Sequence, residues 1–181
     1  MMQLLLVMTV IGQDRPGLVE AIARIVADHG GNWGESRMCR LGGQFAGILR
    51  IQVPAEKRIA LDQALKALQT QGLTVVGQPD QPQPVGGTRK LATLEVVGHD
   101  RPGIIHQVTH VLASQNVNVE ELETECVSAP MSGEMLFKAA ARLQIPKSCD
   151  MTALRIELEK IASDLMVNVS IVELAGHSQA T

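Results

Sequence analysis

The heptapeptide GQDRPGL at residues 12–18 decides how this chain folds, because it returns 86 residues later as GHDRPGI at residues 98–104. Each copy follows a short apolar run and precedes a segment whose apolar residues recur with helical spacing. The aligned register continues without a gap to Asn32, which corresponds to Asn118. A repeat with so long a period indicates two tandem copies of one small domain rather than a solenoid.

The pattern of apolar residues predicts the order of elements in the first copy. Apolar runs of strand length, helical periodicity and Gly or Pro stops distinguish the elements. The predicted order is a strand at 4–11, a helix at 16–29 with Pro16 in its first turn, strands at 32–41 and 45–53, a helix marked by Leu61, Leu65 and Leu68, and a strand at 73–77.

The second copy predicts the same order, with six extra residues, 128–133, between its second and third strands. The elements expected there are a strand at 91–97, a helix at 102–115, strands at 117–127 and 134–143, a helix at 151–163 and a strand at 167–174. Two right-handed crossovers in each copy give an antiparallel sheet with both helices on one face. The predicted class is α+β, with two tandem ferredoxin-like βαββαβ domains.

Composition places the domain boundaries. We expect a first domain over residues 1–78, a linker rich in Pro, Gln and Gly over 79–89, a second domain over 90–175 and a tail over 176–181. Domains of this size bury a limited fraction of their surface and leave strand edges exposed. We therefore expect a homodimer.

The net charge, the aromatic and cysteine counts and the lengths of the apolar runs argue against several classes of protein. The net charge is −3 and the chain has one Trp, two Phe and no Tyr, so direct DNA binding is not expected. Three separated cysteines are typical of reduced thiols in a cytoplasmic protein. No apolar run reaches the length that spans a membrane, so no membrane association is expected.

The repeated loop predicts a site for a small zwitterion. Because proline has no N–H, the first free amides of each helix are expected at the next two residues, where a carboxylate can bind. The aspartate before each proline can accept hydrogen bonds from an ammonium group. The alternative is that these aspartates only cap the helices. The candidate ligand-binding residues of the loops are Asp14, Gly17, Leu18, Asp100, Gly103 and Ile104.

The motif G-x-D-R-P-G-[LI], an amphipathic helix and an asparagine at its far end make each half resemble an ACT domain, a regulatory module that commonly binds amino acids. With two such modules and no enzymatic domain, the chain resembles the glycine cleavage system transcriptional repressor family. The resemblance implies a non-enzymatic regulator without a cofactor, acting through a protein partner such as a transcriptional activator. It also implies a small amino acid, glycine first, as effector. Amino-acid-binding relatives often have a polar side chain where this chain has Gly12 and Gly98.

Asn32 and Asn118 resemble the other ligand-facing position of the ACT module. About 14 helical residues, rising roughly 1.5 Å each, separate each asparagine from the aspartate of its own domain. The prediction is therefore that Asp14 shares a ligand with Asn118, and Asp100 with Asn32, if two modules pack side by side. The alternative is that each asparagine merely accommodates a left-handed turn after the helix.

Two other functions stay open from the sequence. His99, His106 and His110 have acceptable spacing for a metal or a small enzymatic site, although helical angle places His106 and His110 on a solvated face. No Ser-His-Asp or Cys-His arrangement is apparent, so no catalytic residue is predicted. The remaining alternative is an interaction module whose loops bind no ligand.

Overall fold

The structure is a computed structural model, and it describes residues 2–81, 89–129 and 133–174. The chain divides into two compact units, Met1–Pro82 and Gln83–Thr181, here called domain 1 and domain 2. The predicted tail and most of the predicted linker lie outside the described residues, as does the centre of the six-residue insertion.

Domain 1 contains the six predicted elements in the predicted order. They are β1 (Gln3–Gln13), α1 (Leu18–Asp28), β2 (Asn32–Leu41), β3 (Gln44–Pro54), α2 (Arg58–Ala67) and β4 (Leu73–Pro79). Short 3-10 turns at Ala55–Lys57 and Leu68–Gln71 flank α2. The sheet has the order β2-β3-β1-β4, and every neighbouring pair is antiparallel.

Domain 2 repeats this architecture. Its elements are β5 (Lys90–His99), α3 (Ile104–Ser114), β6 (Asn118–Ser128), β7 (Met135–Ile145), α4 (Met151–Leu165) and β8 (Val167–Glu173). The sheet order β6-β7-β5-β8 is equivalent to that of domain 1, and its pairs are also antiparallel. The predicted fold class, two tandem ferredoxin-like domains, is confirmed.

Strict alternation along the strands explains why both helices lie on one face of each sheet. In β1, Leu6, Met8 and Val10 are fully buried, whereas the residues between them point to the opposite face. The buried set joins Ile22 of α1 and Leu61 of α2 in one apolar cluster. Domain 2 builds a separate cluster in the same way from its own strands and helices. Each domain therefore has its own core.

The opposite faces of the two sheets differ in chemistry. A cross-strand row of domain 1 consists of Arg37, Ile48, Thr9 and Val76, and the equivalent row of domain 2 consists of Glu123, Ala140, Glu95 and Ser170. Four large apolar residues on this face of domain 1 are each about half exposed, namely Leu5, Ile11, Ile48 and Val76. The central row of the open face is thus more apolar in domain 1 and more charged in domain 2, although domain 2 also exposes Leu91, Val97 and Val172 on this face.

The predicted starts of the first helix in each domain are wrong by two residues. Pro16 and Pro102 lie in turns, and the helices begin at Leu18 and Ile104. Gly17 intervenes with φ of 90°, a left-handed conformation that glycine adopts without steric cost. The turn reverses the chain from the end of β1 into α1, so proline precedes the helix rather than opening it.

One helix has a side-chain cap that gives a stability prediction. Asp150 precedes α4, and its Oδ1 accepts hydrogen bonds from the amides of Thr152 at 2.8 Å and Ala153 at 3.3 Å. Asp150→Ala should therefore lower the free energy of unfolding by about 1 kcal/mol. Urea denaturation measures this loss. Asp164→Ala, in the last turn of the same helix, is the matched control, because an acidic side chain there opposes the helix dipole and its removal should cost nothing.

Candidate functional site

The repeated loop of domain 1 joins the end of β1 to the start of α1. The backbone amide of Asp14 donates to the carbonyl of Gly43 at 2.9 Å, which ties the loop to the β2–β3 hairpin. Gly17 is the cap residue before the helix, and as a glycine it has no side chain to cap the amides that follow. Leu18 is the first helical residue, and the binding of a carboxylate by the amides of Gly17 and Leu18 stays a prediction.

The loop of domain 2 has the same backbone design. The amide of Asp100 donates to the carbonyl of Met135 at 3.1 Å, and Gly103 has φ of 93° before the first helical residue, Ile104. Gly103 is again the cap residue, and glycine has no capping side chain. The cap position is therefore held by glycine in both domains, and the interpretation of the loop aspartates as cap residues is wrong. Each loop presents an uncapped, electropositive helix end.

The two loop glycines leave the space in front of the helix ends open. A Cβ placed on Gly17 would meet nothing within 4 Å, and one on Gly103 would meet only the Nε2 of Gln107 at 4.0 Å. Their left-handed backbone, rather than close packing, accounts for glycine at both positions. A small molecule can approach the amides in both domains.

The side-chain partners of the two aspartates are different. Asp14 Oδ2 lies 2.6 Å from the Nε of Arg40, an ion pair whose side chains are 31% and 70% exposed, respectively. Asp100 instead lies close enough to the thiol of Cys126 to influence its pKa. Desolvation, and then the Asp100 carboxylate, raise the pKa of that thiol, so it remains an uncharged partner.

Arg40 and Cys126 occupy the same place in the fold. Arg40 on β2 pairs with Phe45 of β3, and Cys126 on β6 pairs with Phe137 of β7. Sequence reasoning missed both residues, although the offset of the repeat already aligns position 40 with position 126. Residue identity alone does not show that this edge-strand position lies beside the loop aspartate.

The asparagines are strand residues at the far end of each first helix. Asn32 begins β2 and Asn118 begins β6, and both are exposed. The left-handed position after the helix is Gly30 in domain 1 and Asn116 in domain 2, with φ of 68° and 55°. The turn-forming interpretation of Asn32 and Asn118 is therefore wrong. Their pairing with a loop aspartate stays a prediction.

The glycine that opens each repeated motif has no room for a side chain. A Cβ on Gly12 would lie 2.5 Å from the carbonyl oxygen of Gly72, and one on Gly98 would lie 2.5 Å from Cγ1 of Val167. Both distances are far inside van der Waals contact. The polar residue that amino-acid-binding relatives often have here does not fit this backbone, so any ligand of this chain must bind without it.

The histidines do not build a metal site in the described part of the chain. His106 and His110 are exposed on α3, as predicted, with ring centroids 6.3 Å apart, while His99 lies near Glu134. Across residues 2–81, 89–129 and 133–174, no group of three or more potential metal ligands comes together. Within the same residues, no helix is both long and apolar enough to cross a membrane.

Comparison with known proteins agrees with the fold and the repeated loop. Each half matches a family model described as ACT domain, over residues 4–78 and 92–137. The chain belongs to the ACT-domain family and carries two ACT domains in tandem.

Particular relatives extend over most of the chain. It is 25% identical over 186 residues to the glycine cleavage system transcriptional repressor of Escherichia coli strain K12, covering 96% of this chain and 93% of the relative. A UPF0237 protein of Methanococcus maripaludis is 33% identical over 79 residues, which are 43% of this chain and 81% of the relative. The crystal structure of an unknown protein from Galdieria sulphuraria superposes with a TM-score of 0.83 at 29% identity, covering 96% of this chain and 100% of that one.

Proposed function

We propose that this chain is a non-enzymatic regulator that senses a small amino acid, glycine first, and acts on transcription through a protein partner. The observation that carries the proposal is the pair of uncapped helix ends, each beside an aspartate and each reached through open space. The similarity to the repressor of Escherichia coli over nearly the full length supports the regulatory role.

The two groups of the loop are complementary to a free amino acid. The helix amides after Gly103 carry partial positive charge and can donate to a carboxylate, while Asp100 can accept from an ammonium group. A charge-assisted hydrogen bond is stronger than a neutral one. Because the site has no enclosing side chain at Gly98, the proposed ligand is small and gains most of its binding energy from these two charged groups.

Calorimetry against glycine, L-alanine and L-serine tests this function, with glycinamide and acetate as controls that each lack one charged group. The wild-type protein should release heat with at least one amino acid and with neither control. Ligand binding would favour one arrangement of the protein over another and change the surface offered to a partner. Absence of binding to all three amino acids would leave an interaction module that senses no ligand.

The proposed action through a partner predicts weak contact with DNA itself. Phosphate contacts supply most non-specific affinity, and the chain has 16 Lys and Arg against 19 Asp and Glu. Purified protein alone should give no sequence-specific gel shift on the promoter-proximal DNA of its regulated genes at physiological salt. A discrete complex that survives competitor DNA would contradict this prediction.

We also propose that domain 1 self-associates through its open sheet face. Four strands spaced about 4.8 Å apart, each with about eight residues rising about 3.3 Å per residue, give a sheet face of roughly 500 Å². This area approaches the roughly 800 Å² that each partner buries in a standard interface. Glu35 and Arg37 also line this face, and Glu35 pairs with Arg50 within the domain at 3.5 Å. The open face of domain 2 also exposes large apolar residues, Leu91, Val97 and Val172, but it has a glutamate, Glu95, at its centre where domain 1 has Thr9.

A charge at the centre of the domain 1 face should separate the copies. Thr9→Glu places a carboxylate where domain 2 naturally has Glu95, so the fold should tolerate it. Light scattering at tens of micromolar should show a dimer for the wild type and a 19.5 kDa monomer for this variant. Gln63→Glu, an equal addition of charge on the exposed side of α2, should stay dimeric. A monomeric wild type, or a dimeric Thr9→Glu variant, would contradict the proposed interface.

A further inference from the structure

We propose that the two loops are not equivalent, and that the loop of domain 2 fills with an amino acid before the loop of domain 1. Arg40 competes with the ligand at the loop of domain 1. This inference rests on the proposed function, and it concerns which of the two loops performs it. Two separate differences between the domains carry the inference, one at the aspartate and one at the helix end.

The aspartate of domain 1 already has a cationic partner. The Nε of Arg40 lies 2.6 Å from Asp14 Oδ2, so a guanidinium already neutralises the carboxylate that a ligand ammonium would use. A ligand must displace this guanidinium or bind beside another positive charge. Asp100 has only the uncharged thiol of Cys126 against it, and no cation pairs with Asp100 among the residues that the structure describes. A thiol is a weak donor that an ammonium group replaces with a net gain.

The N-terminal ends of α1 and α3 also differ, and the end of α3 in domain 2 is again the more favourable one for a ligand. Glu20 is the third residue of α1, so an acidic residue occupies the first turn of the helix whose end would receive a ligand carboxylate. Its ion pair with Arg24 at 3.7 Å is more than half exposed at both side chains, so it offsets little of that charge. The equivalent residue of α3 is His106, and the first turn of α3 has no acidic side chain. The domain 2 helix end therefore keeps its attraction for an anion.

Each difference is modest, and together they decide the occupancy. Competition from an exposed ion pair and a like charge at a helix end each change an equilibrium constant by about two- to fivefold. Acting on the two ends of one zwitterion, they should separate the two loops by roughly 4- to 25-fold in affinity. At a ligand concentration that half-fills domain 2, domain 1 is only about 4–20% occupied.

Exchanging the two residue pairs between the domains tests the inference. In calorimetry with glycine under reducing conditions, the wild type should show one tighter binding event per chain and a second that is roughly 4- to 25-fold weaker. The double variant Arg40→Cys and Glu20→His should strengthen the second event to a similar affinity. The double variant Cys126→Arg and His106→Glu should weaken the tighter event by roughly 4- to 25-fold. All four residues are exposed, and unchanged thermal unfolding establishes that both variants are folded.

The outcomes separate this inference from the proposed function. Two equal events in the wild type, or no strengthening of the second event after the domain 1 exchange, would overturn the assignment while leaving amino acid sensing intact. Stronger binding at domain 1 with Arg40 than without it would mean that the guanidinium receives the ligand carboxylate, and it would overturn the inference as well. No heat from wild type and both variants would refute the proposed function itself and this inference with it.

Discussion

Gly12→Ala is expected to destabilise domain 1 by about 3 kcal/mol, because forced overpacking of this kind costs about that much. The added Cβ would lie 2.5 Å from the carbonyl oxygen of Gly72 and 3.0 Å from Cδ1 of Leu73. A backbone oxygen cannot swing aside as a side chain can, so β1 and β4 must separate at the point where they pair. Urea denaturation should show the loss as a lower transition midpoint.

Gly77→Ala is the matched control, since its Cβ would meet no atom closer than 3.7 Å on the same strand pair. It should leave the unfolding midpoint nearly unchanged or slightly raised. Equal effects of the two substitutions would mean that Gly12 is not packed as described. Replacing Gly12 or Gly98 with the polar residue of amino-acid-binding relatives should therefore damage the fold rather than improve binding.

Ile22→Ala should lower the free energy of unfolding of domain 1 by about 2–5 kcal/mol. The side chain of Ile22 is completely buried at the centre of the cluster between the helices and the sheet, so its removal leaves a cavity. Ile59→Ala on α2 is the control, because Ile59 is 73% exposed and should contribute less than about 0.5 kcal/mol. A small effect at Ile22 would contradict the core described for domain 1.

Periodicity and repetition were sufficient to predict the fold. Alternation along β1 and helical spacing along α1 are local patterns in the sequence. The second copy shows the same two patterns and therefore supports each prediction independently. The helix starts were misplaced because proline is compatible both with a first helical turn and with the turn before it. The left-handed backbone at Gly17 shows that proline lies in the turn before the helix. The residue type alone does not determine that φ angle.

The side-chain partners of the two loop aspartates were harder to predict from the sequence than the fold. The residues DRPG are identical in the two loops and therefore predict two identical sites. The side chains that distinguish the two loop aspartates lie on an edge strand, more than 20 residues further along the chain. Asp14 and Arg40 meet because the hairpin after Leu41 folds back along β1. The alternative interpretation, helix capping, also concerned the wrong aspartates. Asp150, which the sequence did not single out, is the one whose side chain caps a helix in the described residues.

The central claim is that an amino acid binds at the helix end of domain 2, and amide chemical shifts measured by NMR during a glycine titration test it most directly. The amides of Gly103, Ile104 and Ile105 should shift with a common saturable dependence on glycine concentration, whereas those of Gly17, Leu18 and Val19 should need roughly 4- to 25-fold more glycine to shift equally. Asp100→Asn, which keeps the shape of the side chain and removes its charge, should weaken that dependence about tenfold or more. If glycine, alanine and serine leave the Gly103, Ile104 and Ile105 amides unmoved, the claim is wrong.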